Sequence, residues 1–242
     1  MKQKEISFCL SVAGHSFLIH ANYSRIFFLS KEYHTDNRAE KEIIITEDDI
    51  DAECDDKKSY RTAPENAQLE TLAVYRKISK ELLEYDIFLM HGAVIAYNEN
   101  AYMFTAASGT GKTTHIRKWL QNLEEAYVVN GDKPLIKVTN DEIIAFGTPW
   151  CGKERLGTNC MVPLRAIVLM ERGENNAIHE ISFEEAFLYI FKQTYLPHDA
   201  DLTKKTLNLL SKLKGKVKFY QFSFNNMKED AFEVAYNAIT KA

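Results

Sequence analysis

The segment Phe104–Leu120, FTAASGTGKTTHIRKWL, places small residues and two glycines directly before a lysine and two threonines. The run AYMFT before the loop is typical of a β-strand, and the run HIRKWLQNL after it is typical of a helix. The glycines therefore lie where a strand passes into a helix N-terminus, at which unpaired backbone N–H groups and the helix dipole attract phosphate. This arrangement predicts a phosphate-binding loop in an α/β fold.

The loop follows the pattern GxxxxGK[ST] at every position but the first, which is Ala106. Alanine is compatible with that position if its φ angle is negative. We expect the Lys112 ammonium group to contact the β- and γ-phosphates of a nucleotide, and the Thr113 hydroxyl to bind Mg²⁺. The expected nucleotide-binding residues are Ser108, Gly109, Thr110, Gly111, Lys112, Thr113 and Thr114. The alternative is a turn of small residues that merely precedes a helix.

Length and composition limit the class of protein. With 242 residues and 45% hydrophobic residues, the chain can form one substantial core, or a core with a modest appendage. A net charge of −4 gives no general reason to expect a nucleic-acid partner, and no apolar run has the length of a membrane span. The N-terminal residues MKQKEISFCL lack a signal-peptide core, so we expect a cytoplasmic protein. None of the cysteines forms a CxxC pair, and we expect free thiols at Cys9, Cys54, Cys151 and Cys160.

Two regions are predicted along the chain, a small β-rich region at residues 1–60 and a P-loop domain with C-terminal helices at residues 61–242. Alternating apolar residues before Gly14, followed by SFLIHA, predict a hairpin in the first region. The acidic run from Glu47 to Asp56 lacks the spacing and the central glycine of an EF-hand calcium loop. We therefore expect a solvated or disordered loop there.

The second region alternates between helical and strand-like patterns. A helix is predicted to open at Pro64, and two capping-box patterns, Ser182 with Glu185 and Asn226 with Glu229, predict later helix starts. The segments that read as strands are AVIAY, AYMFTA, AYVVN, PLIKV, IIAF, RAIVLM and KVKFYQFSF.

A first hairpin is predicted around the turn-rich tripeptide Asn98-Glu99-Asn100, which joins AVIAY to AYMFT. The register around this turn places His91 roughly opposite Ala107. The histidine is therefore expected beside the phosphate loop, although it comes sixteen residues earlier in the chain.

A second hairpin is predicted around residues 139–142, which join PLIKV to IIAF. Its register places Asp132 and Lys133 opposite Thr148 and Pro149. Together the two turns are expected to bring the histidine, the phosphate loop, the aspartate and the segment GTPWCGK to one end of a sheet.

Two families resemble this part of the chain. AASGTGKTT closely resembles the GLSGTGKTT loop of ATP-dependent phosphoenolpyruvate carboxykinases. The order HGAVIAYNENAYMFTAASGTGKTT…YVVNGDKPLI resembles the catalytic domain of HPr kinase/phosphorylase over about residues 86–170. The resemblance implies an α/β (α+β) P-loop fold with a mixed, hairpin-rich sheet and flanking helices. It also implies ATP and Mg²⁺ as cofactors, and a homo-oligomer. The implied reaction transfers phosphate to a hydroxyl, by default a seryl one, on a protein, peptide or small molecule.

The resemblance also implies roles for individual residues. Asp132 follows the strand AYVVN, where such folds place a magnesium ligand, and turn chemistry is the alternative for this residue. HPr kinases carry two adjacent aspartates here, one for the metal and one as base, whereas this chain has Gly131-Asp132-Lys133. His91 could replace the missing base or steady the transferring phosphoryl group, with a structural histidine as the alternative. The identity of the base stays open.

The loop TPWCGKERLGTN supplies further candidates. Lys153 and Arg155 in this loop, and Lys133 before it, could neutralise phosphate charge in the transition state, with solvated side chains as the alternative. Trp150 could stack on a base, cover the pocket or simply pack. Cys151 is disfavoured as a nucleophile, because no histidine is near it in the sequence.

Three functions are weighed. The leading hypothesis is an ATP- and Mg²⁺-dependent kinase with His91, Lys112, Asp132 and Lys153 as catalytic residues, and with Thr113 and Asp132 as metal ligands. Carboxykinase chemistry would need a second metal and more cationic ligands than Arg155 and Arg165. A nucleotide-binding module without phosphotransfer is supported by the missing aspartate. A solvated face, or a surface for an acidic partner, is expected from the basic run Lys204, Lys205, Lys212, Lys214, Lys216 and Lys218.

Overall fold

The structure, a computed structural model, describes residues 6–54, 61–225 and 227–241. The chain divides into two compact units, Met1–Glu84 and Tyr85–Ala242. The long helix that begins near Pro64 belongs to the first unit, because its apolar face packs on the strands there. The division therefore falls after this helix, whereas the boundary expected at residue 60 lies before it.

The first unit contains a three-stranded sheet with helices packed on it. Its elements are β1 (Ile6–Val12), β2 (His15–Ala21), α1 (Arg25–Leu29), β3 (Lys41–Ile44), α2 (Glu47–Ala52) and α3 (Ala63–Leu82). Strand β2 lies in the middle, antiparallel to β1 and parallel to β3. The turn between β1 and β2 consists of Ala13 and Gly14, both with positive φ, as a type I′ hairpin requires. The hairpin predicted around Gly14 is confirmed.

The prediction of a loop for the acidic run is wrong over residues 47–52, because these residues form α2. The Thr46 side chain accepts a hydrogen bond from the Asp49 amide, and the Asp49 carboxylate accepts one from the Thr46 amide. This capping box, with three acidic residues in the first turn, stabilises a helix start because negative charge offsets the positive end of the helix dipole. Asp55 and Asp56, the last residues of the run, lie outside the described residues.

The second unit is a mixed α/β arrangement around a nine-stranded sheet. Its elements are β4 (Ile87–Leu89), β5 (Ala93–Tyr97), β6 (Asn100–Thr105), α4 (Lys112–Asn122), β7 (Tyr127–Asn130), β8 (Leu135–Val138), β9 (Ile143–Phe146), β10 (Met161–Arg172), β11 (Ala177–Ile181), α5 (Phe183–Gln193), α6 (Ala200–Ser211), β12 (Lys218–Phe224) and α7 (Ala231–Thr240). The strand order is β4-β8-β9-β10-β6-β5-β7, and β12 joins β10 to β11. All seven predicted strand segments are confirmed, while β4 and β11 were not predicted from the sequence.

The two hairpins that organise this sheet have almost the predicted registers. Between β5 and β6 the turn contains only Asn98 and Glu99, both with positive φ. Because this turn is one residue shorter than expected, the register, which is observed from Ala93 opposite Phe104, would place His91 opposite Ala106 rather than Ala107. The second hairpin, β8 with β9, has the predicted register, since Leu135 pairs with Phe146.

Helices cover both faces of the large sheet. Trp119 of α4 is fully buried, and its ring contacts Phe104 of β6 and Phe232 of α7. On the opposite face of β12, Phe219 contacts Phe183 of α5, because successive strand residues point to opposite sides. The predicted capping box of α5, Ser182 with Glu185, is confirmed. The other predicted box begins at Asn226, which lies outside the described residues.

Within the described ranges, none of the helices combines the length and the apolar character that crossing a lipid bilayer requires.

Candidate active site

The sheet topology brings the predicted site residues to one edge. Strand β5 is antiparallel to both β6 and β7, so the carboxyl ends of β6 and β7 lie beside the amino end of β5. The glycine-rich loop at residues 106–111 follows β6, Asp132 follows β7, and His91 precedes β5. Two hydrogen bonds join these segments, because the Thr105 hydroxyl donates to the His91 carbonyl and the Gly92 amide donates to the Asp132 carbonyl. The convergence expected from the two hairpins is confirmed.

The glycine-rich loop has the backbone that its sequence predicts. Gly109 and Gly111 have φ angles of +78° and +124°, whereas Ala106 is not among the residues with positive φ, so alanine is tolerated at the first position of the pattern. Gly111 has a second constraint, since a Cβ atom there would lie 2.6 Å from the Phe224 ring. The first amide of α4 that donates within the helix is that of His115, to Gly111. The earlier amides of this helix are therefore available to an anion.

Lys112 lies under the loop, with only 9% of its surface exposed. Its Nζ donates to the Ala106 carbonyl at 2.8 Å and approaches the Ala107 carbonyl at 3.5 Å. Burial lowers the pKa of Lys112, while the negative charge of Asp132 opposes that decrease. The ammonium group is thus held at the start of the helix, and its electrostatic partner is the predicted metal ligand.

Asp132 is held by a buried polar network. The Oδ1 atom of Asn130 accepts hydrogen bonds from the amides of Asp132 at 2.8 Å and Lys133 at 2.7 Å. The Thr148 hydroxyl in turn accepts from the Asn130 side-chain amide and donates to the Lys133 carbonyl, each at 2.8 Å. Asn130-Gly131-Asp132 therefore forms a turn, and this turn holds the Asp132 carboxylate in place. The turn and the metal site were considered as alternatives for Asp132, but the first does not exclude the second.

The Asp132 carboxylate faces two side-chain nitrogens. Its Oδ1 atom lies 3.2 Å from His91 Nε2 and 3.6 Å from Lys133 Nζ. Burial alone would raise the pKa of Asp132, but the hydrogen bond with His91 and the charges of Lys133 and Lys112 outweigh it, so the pKa is lowered. Asp132 therefore stays an anion near neutral pH, which is the state that a magnesium ligand requires.

A cavity of about 540 Å³ opens at this edge of the sheet. The predicted site residues that line it are His91, Ser108, Gly109, Gly111, Lys112, Thr113, Thr114, Asp132 and Lys153. Cys151, which the sequence disfavoured as a nucleophile, lines it as well. Thr110 does not line it, and its amide and hydroxyl both donate to the Ala107 carbonyl inside the loop. Neither Arg155 nor Trp150 lines it, and Trp150 is buried, in agreement with the packing alternative.

Two features of the site were not predicted from the sequence. Glu154 also lines the cavity and forms an ion pair with Arg117 of α4, which ties the loop of residues 151–156 to the helix after the phosphate loop. Gln193, the last residue of α5, contacts His91. The only sequence signal for Glu154 is its place beside Lys153, and Gln193 has none.

Other candidates lie elsewhere. Arg165, considered as a ligand for an organic acid, lines a different cavity with Asn100, its hydrogen-bond partner, at the opposite end of β6. Three members of the basic run, Lys214, Lys216 and Lys218, line that same cavity. Cys151 shares the first cavity with His91, which the sequence distance between them did not suggest.

Comparisons with known proteins assign no family to the chain. No family model matches the sequence, and no curated protein matches it. Among solved structures, that of the Hpr(Ser) kinase/phosphatase from Coxiella burnetii is similar to this chain with 9% sequence identity and a TM-score of 0.38, over 62% of this chain and 88% of that one. An identity and a TM-score this low assign neither fold nor function.

Proposed function

We propose that this protein is an ATP- and Mg²⁺-dependent phosphotransferase that moves the γ-phosphate of ATP to a hydroxyl. The observation that carries the proposal is the single cavity in which the glycine-rich loop, Lys112, Asp132 and His91 meet. The order of motifs resembles that of HPr kinase/phosphorylase, and this resemblance supports a seryl acceptor and an HPr kinase-like P-loop fold.

The residues present suit a magnesium nucleotide. The early amides of α4 and the Lys112 ammonium group would hold the β- and γ-phosphates, and the Thr113 hydroxyl with the Asp132 carboxylate would hold Mg²⁺. Bound magnesium would neutralise charge that develops on the phosphates. Lys112 now donates to backbone carbonyls of its own loop, and phosphate oxygens would replace those acceptors. Lys153 lines the same cavity and adds a second positive charge.

His91 is the base that this site offers to the acceptor. In the proposed step the acceptor oxygen attacks the γ-phosphorus, and the bond from that phosphorus to the β–γ bridging oxygen breaks, with its electron pair leaving on ADP. The acceptor proton passes to His91 Nε2. That nitrogen faces Asp132 Oδ1 at 3.2 Å in the structure, where it donates to the carboxylate. It would accept the proton only in the form that carries no hydrogen on Nε2, with the Asp132 carboxylate holding Mg²⁺ instead of the ring. General bases that are held in position contribute about 100- to 10,000-fold to rate.

A second candidate function is a nucleotide-binding module that does not transfer phosphate. The observation that favours it is the engagement of both His91 ring nitrogens, one by Asp132 and one by Gln193. If the carboxylate kept its contact with His91 while nucleotide was bound, no base would face the acceptor. In that case the protein would bind nucleotide tightly without turnover.

Label transfer from γ-labelled ATP separates the two functions. The 242-residue protein is incubated with Mg²⁺ and labelled ATP, alone and with cell extract, and nucleotide affinity is measured by calorimetry. We expect label transfer or hydrolysis in the wild type and a loss of at least about 100-fold in Lys112→Ala, because a preorganised phosphate donor is removed. Lys118→Ala, on the same helix but outside the cavity, is the matched control and should behave as wild type.

Two outcomes would contradict the proposal. Absence of nucleotide binding at millimolar concentration would contradict both the phosphotransferase and the nucleotide-binding module. Turnover that persists in Lys112→Ala would show that the site assignment is wrong. Tight binding without any label transfer would identify the module instead.

A further inference from the structure

We propose that Gln193 is the positioning residue of the catalytic base, holding the His91 ring so that Nε2 faces the acceptor hydroxyl. This inference rests on the phosphotransfer proposed above. Gln193 Oε1 lies 2.9 Å from His91 Nδ1, on the side of the ring opposite to Asp132. Each ring nitrogen of His91 therefore has one polar contact, Nδ1 with Gln193 and Nε2 with Asp132.

The backbone fixes this contact independently of the side chains. The His91 amide donates to the Gln193 carbonyl at 2.7 Å, and the Tyr195 amide donates to the Leu89 carbonyl at 3.0 Å. Met90 and Thr194 form an isolated antiparallel bridge between these two bonds. The end of α5 is therefore a short strand-like partner of the segment that carries the histidine. His91 and Gln193 are directly opposite one another in this pairing, and such side chains are neighbours on one face.

Gln193 would matter most in a state in which Asp132 holds a metal instead of His91. In that state the Nδ1 contact with Gln193 would be the one described side-chain contact left to orient the ring. An amide oxygen that accepts from the Nδ1 proton favours the tautomer with a bare Nε2, which is the form that can receive a proton. After proton transfer both nitrogens carry hydrogen, and the same amide oxygen remains a suitable acceptor. The residue thus supports the ring before and after the step.

A pair of variants separates positioning from folding. Gln193→Met keeps the length of the side chain but removes the acceptor, whereas Gln193→Glu keeps an oxygen acceptor in the same place. We expect the turnover number for γ-labelled Mg·ATP to fall about 10- to 100-fold in Gln193→Met, as for other residues that orient a functional histidine, with the KM for ATP unchanged. Gln193→Glu should retain most of the activity. Lys192→Met, an exposed neighbour on the same helix, is the control and should match wild type.

A spectroscopic measurement tests the inference without turnover. In the ¹⁵N spectrum of histidine-labelled protein with Mg·ADP bound, His91 Nδ1 should be protonated in the wild type and in Gln193→Glu, and should show mixed tautomers in Gln193→Met. An unprotonated Nδ1 in the wild type, or a turnover number of Gln193→Met within about twofold of wild type, would overturn the role of Gln193. Absence of turnover in every variant together with a protonated Nδ1 would instead contradict the proposed function and leave the positioning intact.

Discussion

His115 makes the stability of the second unit depend on pH. It lies on α4, the helix that follows the glycine-rich loop, and is fully buried. Its Nε2 atom accepts a hydrogen bond from Trp119 Nε1 at 3.0 Å, and rings of Phe104, Phe222 and Phe224 surround it. Burial in these apolar surroundings lowers the pKa of His115 from 6.5 to about 3.

The sign of the effect follows from where the proton binds. The folded state keeps His115 neutral down to about pH 3, whereas the unfolded chain binds a proton near pH 6.5. Because the unfolded state binds more protons in this window, the free energy of unfolding decreases as the pH falls from 6.5 towards 3, by about 1.4 kcal/mol per pH unit. Between pH 7 and pH 5, His115 alone should remove about 2 kcal/mol.

Urea unfolding followed by tryptophan fluorescence measures this loss. Both tryptophans, Trp119 and Trp150, belong to the second unit, so their fluorescence reports on its unfolding. The comparison is between wild type and His115→Gln at pH 7 and pH 5, because glutamine retains an acceptor for Trp119 Nε1 but does not titrate. His198→Gln, at an exposed position in the same unit, is the control.

We expect the wild type and the control to lose about 2 kcal/mol more than His115→Gln on going from pH 7 to pH 5. Any loss of packing in the glutamine variant lowers its stability at both pH values and cancels in the difference. A pH dependence that agrees between wild type and His115→Gln to within about 0.5 kcal/mol would refute the assignment of a neutral, buried histidine.

Three further changes test the packing around the site and in the first unit. Gly111→Ala should reduce the free energy of unfolding, measured by urea unfolding, by more than Gly109→Ala does. Both substitutions place alanine at a positive φ, which costs about 1–3 kcal/mol, but only the alanine at position 111 also presses its methyl group against Phe224. Thr148→Val should destabilise the second unit by about 1–3 kcal/mol, because the Asn130 side-chain amide, the Lys133 carbonyl and the Trp150 amide each lose the hydroxyl as a partner. Thr148→Ser keeps the hydroxyl and should have the stability of the wild type. Equal melting temperatures for the valine and serine variants would contradict this. Glu70→Ala should speed amide hydrogen exchange in the loop after β2, whose backbone amides donate to this fully buried carboxylate, and unchanged protection there would argue against that role.

The parts of the fold that the sequence predicted are those set by local chemistry. Asn98 and Glu99 adopt positive φ and close the hairpin of β5 and β6, and this turn places His91 beside the phosphate loop. Even so, the register was one residue off, because a turn-rich tripeptide does not reveal how many of its residues lie outside the ladder. The acidic run was misread for a related reason, since its capping box at Thr46 was overlooked beside the density of charge.

Contacts between segments far apart in the chain could not be predicted from the sequence. Gln193 meets His91 only because the end of α5 pairs with the segment before β5, 102 residues away in the chain. In the same way, the Glu154 ion pair with Arg117 spans 37 residues. Such meetings depend on strand order and helix packing, and a side chain that looks like an ordinary surface residue gives no sign of them.

The sequence by itself determined the glycine-rich loop, its lysine, and the hairpins that gather candidate residues at one edge of a sheet, because backbone preferences and turn residues act within a few positions. Only the tertiary structure decided which side chains share the cavity, excluding Arg165 and Thr110 and adding Glu154, and which residue, Gln193, contacts His91. The physical reason is that a side chain's partners are set by the three-dimensional packing of elements far apart in the chain, whose contacts are not encoded in any short stretch of residues.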